Sequence, residues 1–169
     1  MSFTATLMGG IQLCPMNCPF CSPDIKASVF ARSGNFVALY NRAPVFPGHS
    51  LVIPEHHVGS LLELGEAEAA EMISFSQKVT RLLLQVFNAE AFDWSVQDGV
   101  AAGQSIAHLH LHIVPRRTGD RPDPGDWYPE IAQNTAEILD SAFRPKIPPD
   151  ELEQIVKKLR EQARKEELF

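Results

Sequence analysis

No uninterrupted apolar run in the 169-residue chain approaches the ~18 residues that a membrane-spanning helix needs, so a membrane span is not expected. Cysteine is scarce. The three present, Cys14, Cys18 and Cys21, are an odd number crowded into one short stretch, which argues against a disulfide scaffold and fits a reducing compartment. Positive charge is short as well: 15 Lys and Arg stand against 21 Asp and Glu, a formal charge of −6. That balance excludes the broad basic surface on which a nucleic-acid polymer is held, and any phosphate-bearing ligand must be small and gripped by local donors. Met1 to Gly10 contains no basic residue and so lacks the charged start of a secretory signal, which leads to the expectation of a cytoplasmic protein. What is present is ordinary for a soluble globular chain, with 44% hydrophobic and 21% charged residues, and the length suits one domain with its own core.

The stretch from Gly103 to Arg117 departs from this plain background. His108, His110 and His112 alternate with Leu109, Leu111 and Ile113, and on an extended strand such alternation puts the imidazoles on one face and the aliphatics on the other. Three chemistries use such a row: ligation of one metal ion, nucleophilic attack by one ring while its neighbours handle the substrate's charge, and pH sensing. The run-in, Gly103-Gln104-Ser105, adds flexible backbone, an amide and a hydroxyl, a set better matched to phosphate oxygens than to a cation. Imidazole attack on phosphorus is the reading these residues favour.

His-Leu-His-Leu-His-Ile-Val resembles the histidine triad (HIT) signature, in which histidines and hydrophobic residues alternate before a final hydrophobic pair. Gln97-Asp98-Gly99, leading into Gly103-Gln104-Ser105, and the segment Asn41 to His49 are similar to the fragile-histidine-triad branch of that family, the dinucleoside polyphosphate hydrolases. The resemblance spans roughly Ser28 to Arg117 and is specific because separated motifs agree in order. It implies that His110 is the catalytic nucleophile, forming a nucleotidyl-imidazole that water then hydrolyses. It further implies that Asn41 meets the ribose and that His49 lies beside the site. Gln97 would meet the phosphate bridge and leaving group, while His112 with Gly103, Gln104 and Ser105 would bind non-bridging oxygens. The implied substrate is a diadenosine tri- or tetraphosphate, with no organic cofactor and with a homodimer as the working unit. Alternatives are a nucleoside phosphoramidase of the same family and a nucleotide-sensing interaction protein whose hydrolysis is incidental. A phosphorylase or nucleotidyltransferase is disfavoured, since those relatives replace the third triad histidine and His112 is intact here.

Cys18-Pro19-Phe20-Cys21 can offer two thiolates to one zinc ion, which needs two further ligands; a redox pair is the other reading. Resemblance to bacterial histidine triad proteins implies a structural zinc held by Cys18, Cys21, His57 and His108, with His56 as the adjacent alternative to His57. His108 is then claimed twice, as a donor within the imidazole row and as a metal ligand.

Elsewhere the chain is read by period. Ser28 to Arg32 and Phe36 to Tyr40 form a hairpin, His49 to Ile53 a third strand and Phe92 to Gln97 a fourth, beside the triad strand. Met72, Phe75, Val79, Leu82 and Val86 stripe a helix over about 66–87, and Leu152, Ile155, Val156 and Leu159 stripe a last helix over about 150–167, packed on the body or on a second subunit. Asp98 is read as a turn-former. Arg116, Arg117 and Arg121 are candidates to meet distal phosphates, and Trp127-Tyr128 falls where the family has a mobile loop. The expected fold is α+β, HIT-like: an antiparallel sheet of about five strands with a long helix on one face, plus a C-terminal helix. Its organisation is an N-terminal segment 1–27 with the Cys-x-x-Cys site, a HIT domain 28–117, and a loop and helix 118–169.

Overall fold

The computed structural model describes residues 18–121 and 144–168. Cys14 and the Trp127-Tyr128 stretch lie outside the described residues. Five strands, β1 (Val29–Ser33), β2 (Phe36–Tyr40), β3 (Ser50–Pro54), β4 (Ala91–Ser95) and β5 (Leu111–Arg116), make one sheet in the order β1-β2-β3-β5-β4. Every pairing is antiparallel. Among the described residues two α-helices accompany the sheet, α1 (Glu66–Val86) and α2 (Pro149–Lys165). The architecture is the expected α+β one.

Alternation along the strands decides which side chains meet which layer. Phe36, Ala38 and Tyr40 of β2 and Val52 of β3 join Met72, Phe75, Val79 and Leu82 of α1 in the main core. The residues between them, Val37, Leu39, Leu51 and Ile53, form a second cluster on the opposite face, where Phe20 and Ile25 pack against them. The central strands are thus buried on both sides, which is why they read as unbroken apolar runs. Helix α2 packs on the body, against α1 and β1, through Leu152, Val156, Leu159 and Ala163. Arg160 ties it further by donating its Nε to the Val29 carbonyl at 3.0 Å.

Strand boundaries shift from expectation, with β1 and β3 each displaced by one residue at both ends and β4 beginning one residue early. β3 starts at Ser50 rather than His49, β4 stops at Ser95 short of Gln97, and β5 starts at Leu111, so His108 and His110 precede the ladder. The register Val52↔Leu111 would place Pro54 opposite Leu109, and proline has no N–H to give a ladder. Local bonds take over there: the His108 N–H donates to Ile106 O at 2.7 Å and the Leu109 N–H to Val58 O at 2.6 Å. Alternation persists through this segment even though pairing does not, with Leu109 and Leu111 buried in the main core.

The turn into β3 depends on Gly48. Its φ is +93°, and an added Cβ would lie 2.8 Å from Pro115 Cγ and 3.0 Å from the Phe87 ring, while its N–H donates to the Tyr40 hydroxyl at 3.0 Å. A side chain at this point meets both backbone strain and a clash. Gly48→Ala is therefore expected to destabilise the fold by roughly 1–3 kcal/mol, read as a lower urea midpoint; an unchanged midpoint would show that this turn tolerates a side chain.

Candidate active site

The sheet face opposite α1 carries a cavity of about 730 Å³, inside the roughly 300–1,000 Å³ common for small-molecule sites. Its apolar half is lined by Leu39 and Leu51 with Phe20 and Ile25, and its polar half by His110, His112, Ser95 and Gln97. Asn41, His49, Gly103 and Ser105 also line it. Residues far apart in the chain converge because β2, β3, β5 and β4 are laid side by side.

The hydrogen bonds assign a proton to each ring of the cluster. A carbonyl only accepts, so the 2.7 Å contact from His110 Nδ1 to His108 O places the proton on Nδ1 and leaves Nε2 as a bare lone pair. His49 Nδ1 accepts from the Val45 N–H at 3.2 Å. His49 Nε2 must then carry its proton and donate to His112 Nδ1 at 2.8 Å, which leaves His112 with an Nε2–H donor. Burial lowers the pKa of His110, partly offset by its bond to the His108 carbonyl. Burial, then Arg144 and His110, push His49 down to about 3. His112 is held well below the usual range by burial, then by His49, His110 and Arg144. The three rings are neutral at physiological pH, as a nucleophile and its neutral hydrogen-bonding partners need to be.

His108 turns away from this group. Its Nε2–H donates to Pro54 O at 3.0 Å, so Nδ1 presents its lone pair to Cys18 Sγ at 3.5 Å and Cys21 Sγ at 3.6 Å. His57 Nδ1 lies 3.5 Å from Cys21 Sγ, and the four ligand atoms fall within 4.8 Å of one another. In a zinc tetrahedron with Zn–S of about 2.3 Å and Zn–N of about 2.0 Å, the sulfur–nitrogen edge is about 3.5 Å. The donor set, its spacing and the fixed His108 tautomer all fit that ion. His56 is exposed and faces Glu68 Oε1 at 3.5 Å, so His57 is the member of the pair that joins the thiols. The triad rings diverge toward thiols, cavity and His49, and do not share one metal.

Other expected contacts are redistributed. Asn41 is buried and accepts the Ala43 N–H on Oδ1 at 2.9 Å, with its Nδ2 3.4 Å from His49 Nε2. The Gln104 side chain is committed to the loop, accepting from Gly99 N and donating to Gly59 O, both at 2.8 Å. Its placement corrects the expectation of a phosphate donor: its amide braces the backbone that carries Gly103 and Ser105. Asp98 ties its loop to the segment after β3, accepting from Ser60 Oγ at 3.0 Å and Leu61 N at 2.8 Å. Arg116 donates to Asp93 at 2.7 Å and to Asp120 at 2.7 and 2.8 Å, so carboxylates counter the charge expected to serve distal phosphates.

Among the cavity residues that escaped the sequence reading are Phe20, Ile25, Arg144 and Lys146. Phe20 had a signal, since it sits between two cysteines that share a ligand set with His108. Its ring lies 5.6 Å from His108 and 5.4 Å from His110. Arg144 and Lys146 have none, because only the packing of α2 returns that stretch to the site.

The buried His49 makes stability depend on pH. Unfolded, it protonates near 6.5; folded, only near 3. Between those values the unfolded state binds more protons, so stability is lost as pH falls, by up to roughly 1.4 kcal/mol per pH unit from this one group. Urea titrations at several pH values below 6.5 should show wild type losing stability more steeply than His49→Gln; parallel slopes would mean that His49 is protonated in the native state.

A HIT domain model matches residues 22–119. The chain is 34% identical over 124 residues to the asymmetrical bis(5'-nucleosyl)-tetraphosphatase of Schizosaccharomyces pombe, across 73% of this chain and 68% of that protein. It is 39% identical over 98 residues to AP-4-A phosphorylase of Mycobacterium tuberculosis, across 57% of this chain and 50% of that protein, so it spans about half the length of that relative. Among solved structures, a Zn-bound histidine triad family protein from Mycobacterium smegmatis superposes with a TM-score of 0.66 at 25% identity, covering 90% of this chain and 96% of that one. With the family model spanning more than half of its residues and His110 and His112 lining the cavity on the open face of the sheet, the chain belongs to the HIT domain family.

Proposed function

We propose that the protein hydrolyses dinucleoside polyphosphates, of the diadenosine tri- or tetraphosphate type, at the α-phosphorus through a nucleotidyl intermediate on His110. The observation that carries this is the His110 ring itself: Nδ1–H is committed to His108 O at 2.7 Å, and Nε2 is unprotonated beside a cavity of nucleotide size. The Schizosaccharomyces pombe relative, named for nucleosyl tetraphosphate cleavage, supports the substrate class.

In this reading the base and sugar lie against Phe20, Ile25, Leu39 and Leu51, with Asn41 at the ribose. The His110 Nε2 lone pair forms a bond to the α-phosphorus, and the bond from that phosphorus to the bridging oxygen breaks, its electron pair leaving with the polyphosphate. Positive charge gained by the ring is spread through Nδ1–H to the His108 carbonyl. His112 Nε2–H and the Ser105 hydroxyl meet the non-bridging oxygens and Gln97 meets the departing chain, while the Gly103 N–H, bonded to Val100 O at 3.0 Å, shapes the loop that carries Ser105. Water then attacks phosphorus, the P–N bond breaks, and His110 recovers its lone pair. His49 acts through His112, holding that ring in the tautomer that donates.

Cys18, Cys21, His57 and His108 would hold zinc. Bound there, it supplies a structural crosslink, since four protein ligands leave no open position for substrate or water. That crosslink would fasten the Phe20 wall to the triad. Named for its zinc, the Mycobacterium smegmatis neighbour supports this assignment.

A second reading concerns only the acceptor of the nucleotidyl group. The 39% identity to AP-4-A phosphorylase brings back inorganic phosphate in place of water, despite the intact His112. A cytoplasmic homodimer completes the proposal. Among the described residues no helix is long and apolar enough to cross a membrane, β4 is a sheet edge, and Phe92 on it and Ile73 on α1 are exposed.

His110→Asn should abolish turnover of diadenosine tri- and tetraphosphate while nucleotide binding, measured by calorimetry, stays close to wild type. Retained turnover would remove His110 as nucleophile. Quenching wild-type reactions with inorganic phosphate present separates the acceptors: mononucleotide as the only new nucleotidyl product indicates water, and nucleoside diphosphate bearing labelled phosphate indicates phosphorolysis.

For the metal, elemental analysis should find one zinc per chain, lost in Cys18→Ser/Cys21→Ser together with a melting temperature lowered by several degrees. Wild type purified without metal and melting unchanged by added zinc would overturn the assignment.

A further inference from the structure

The paired strands lay out the cavity floor in cross-strand rows. Residues directly opposite on antiparallel strands share a face of the sheet, with Cβ atoms about 5 Å apart. Leu39 pairs with Leu51, Leu51 with His112, and His112 with Ser95. All four line the cavity, so one row crosses β2, β3, β5 and β4, passing from apolar wall to imidazole to hydroxyl. Each step of that row is about 4.8 Å, the spacing between neighbouring strands.

The row fixes an order along a ligand that spans it. A nucleoside on Leu39 and Leu51, with its α-phosphate at His110 and His112, sends whatever follows the α-phosphate over β4, the last strand of the sheet. Asp93 and Ser95 of β4, and Gln97 just after it, are half-buried and line the cavity on that side. Asp93 takes a 2.7 Å bond from Arg116, so the carboxylate nearest to Ser95 on the strand is countered. Gln97 lies beyond the ladder, whereas Ser95 is held within it, opposite His112. Trp94 beside it donates its Nε1–H to Thr80 Oγ1 of α1 at 2.9 Å, which fixes the opposite face of the sheet as the one on which Ser95 stands. Among the described residues no hydrogen bond takes the Ser95 hydroxyl.

We propose that Ser95 recognises the second phosphate: its hydroxyl donates to a non-bridging oxygen of the β-phosphate, and it thereby selects substrates whose leaving group is a phosphate chain. The proposal rests on the dinucleoside polyphosphate reading and deepens it. When the bond from the α-phosphorus to the bridging oxygen breaks, its electron pair stays on that oxygen and the departing β-phosphate gains charge. A donor held one strand beyond His112 binds more strongly as that charge develops. The same donor has nothing to meet in a mononucleotide or in an adenylyl-amine. A hydrogen bond to a charged group is worth enough to change affinity by about tenfold. The bland account is that Ser95 is a small residue leaving room beside His112, in which case alanine serves as well.

The test is a binding comparison on His110→Asn protein, with AMP and ADP as probes, between Ser95→Ala and its parent. Ser95→Ala is expected to lose about tenfold for ADP, with AMP within about twofold. Ser95→Thr, which keeps the hydroxyl and suits a strand, should restore most of the lost affinity. In the active protein Ser95→Ala should lower kcat/KM for diadenosine tetraphosphate by about tenfold and leave that for adenosine 5'-phosphoramidate, whose leaving group carries no phosphate, within about twofold. Equal losses for AMP and ADP, failure of Ser95→Thr to rescue, or no loss at all would overturn the proposal. Wild type that turns over no dinucleoside polyphosphate would instead sink the parent reading, while the AMP-to-ADP comparison, made without turnover, still decides whether Ser95 meets a second phosphate.

Discussion

The hydrogen bond from His110 Nδ1 to the His108 carbonyl, 2.7 Å long, is the constraint on which the site depends. An imidazole can attack only from an unprotonated nitrogen, and two tautomers compete for every neutral histidine. Removing the choice requires an acceptor that cannot donate, held at a fixed angle to the ring. The chain obtains one by delaying its own strand. β5 lies between β3 and β4, so within its ladder each carbonyl has a neighbouring strand to bond. Pairing starts only at Leu111, and the carbonyl three residues earlier is left to serve a side chain. Pro54, with no N–H to offer, is part of the reason the ladder stops where it does.

His108 thereby carries tasks that the sequence makes look exclusive. Read as a motif, it has to choose between donating within the imidazole row and ligating a metal. The structure divides the residue: the side chain joins Pro54 O to the cysteine sulfurs, and the main chain holds His110. Oriented by both, the His108 segment connects a site suited to zinc with the His110 ring through short-range geometry. His49 performs a matching service for His112, with a backbone N–H on one nitrogen and the partner ring on the other. Burial of these rings keeps them uncharged, so the proton assignments are not disturbed near neutral pH.

Much of this was legible in the sequence because it rests on periodicity. Alternation in the triad, in β2 and in β3, and the stripe Met72, Phe75, Val79, Leu82 on α1, are local patterns that tertiary structure kept. What local patterns could not carry was competition between neighbours. Gln104 looks like a phosphate donor until Gly99 and Gly59 claim both ends of its amide. Arg116 looks like an anion ligand until β4 sets Asp93 beside it and the turn after β5 sets Asp120. His56 and His57 cannot be separated by spacing, only by which of them reaches Cys21 and which faces Glu68. The strand ends moved for the same reason, since pairing partners rather than propensity decide them.

The division of labour within the cavity follows from where its parts sit in the chain. The groups proposed to react and to orient, His49, Gln97, Ser105, His110 and His112, all lie inside the stretch matched by the family model, residues 22–119. Part of the wall does not: Phe20 precedes that stretch, and Arg144 and Lys146 follow it. Each flank is tied down by its own interactions, the first by thiols beside His57 and His108, the second by α2 and by bonds to the Asn41–Gly48 turn. A fixed catalytic centre with separately anchored walls can change what it admits without disturbing the tautomers it needs for chemistry. The sheet therefore positions the imidazoles, and the segments at its two margins complete the cavity beside them.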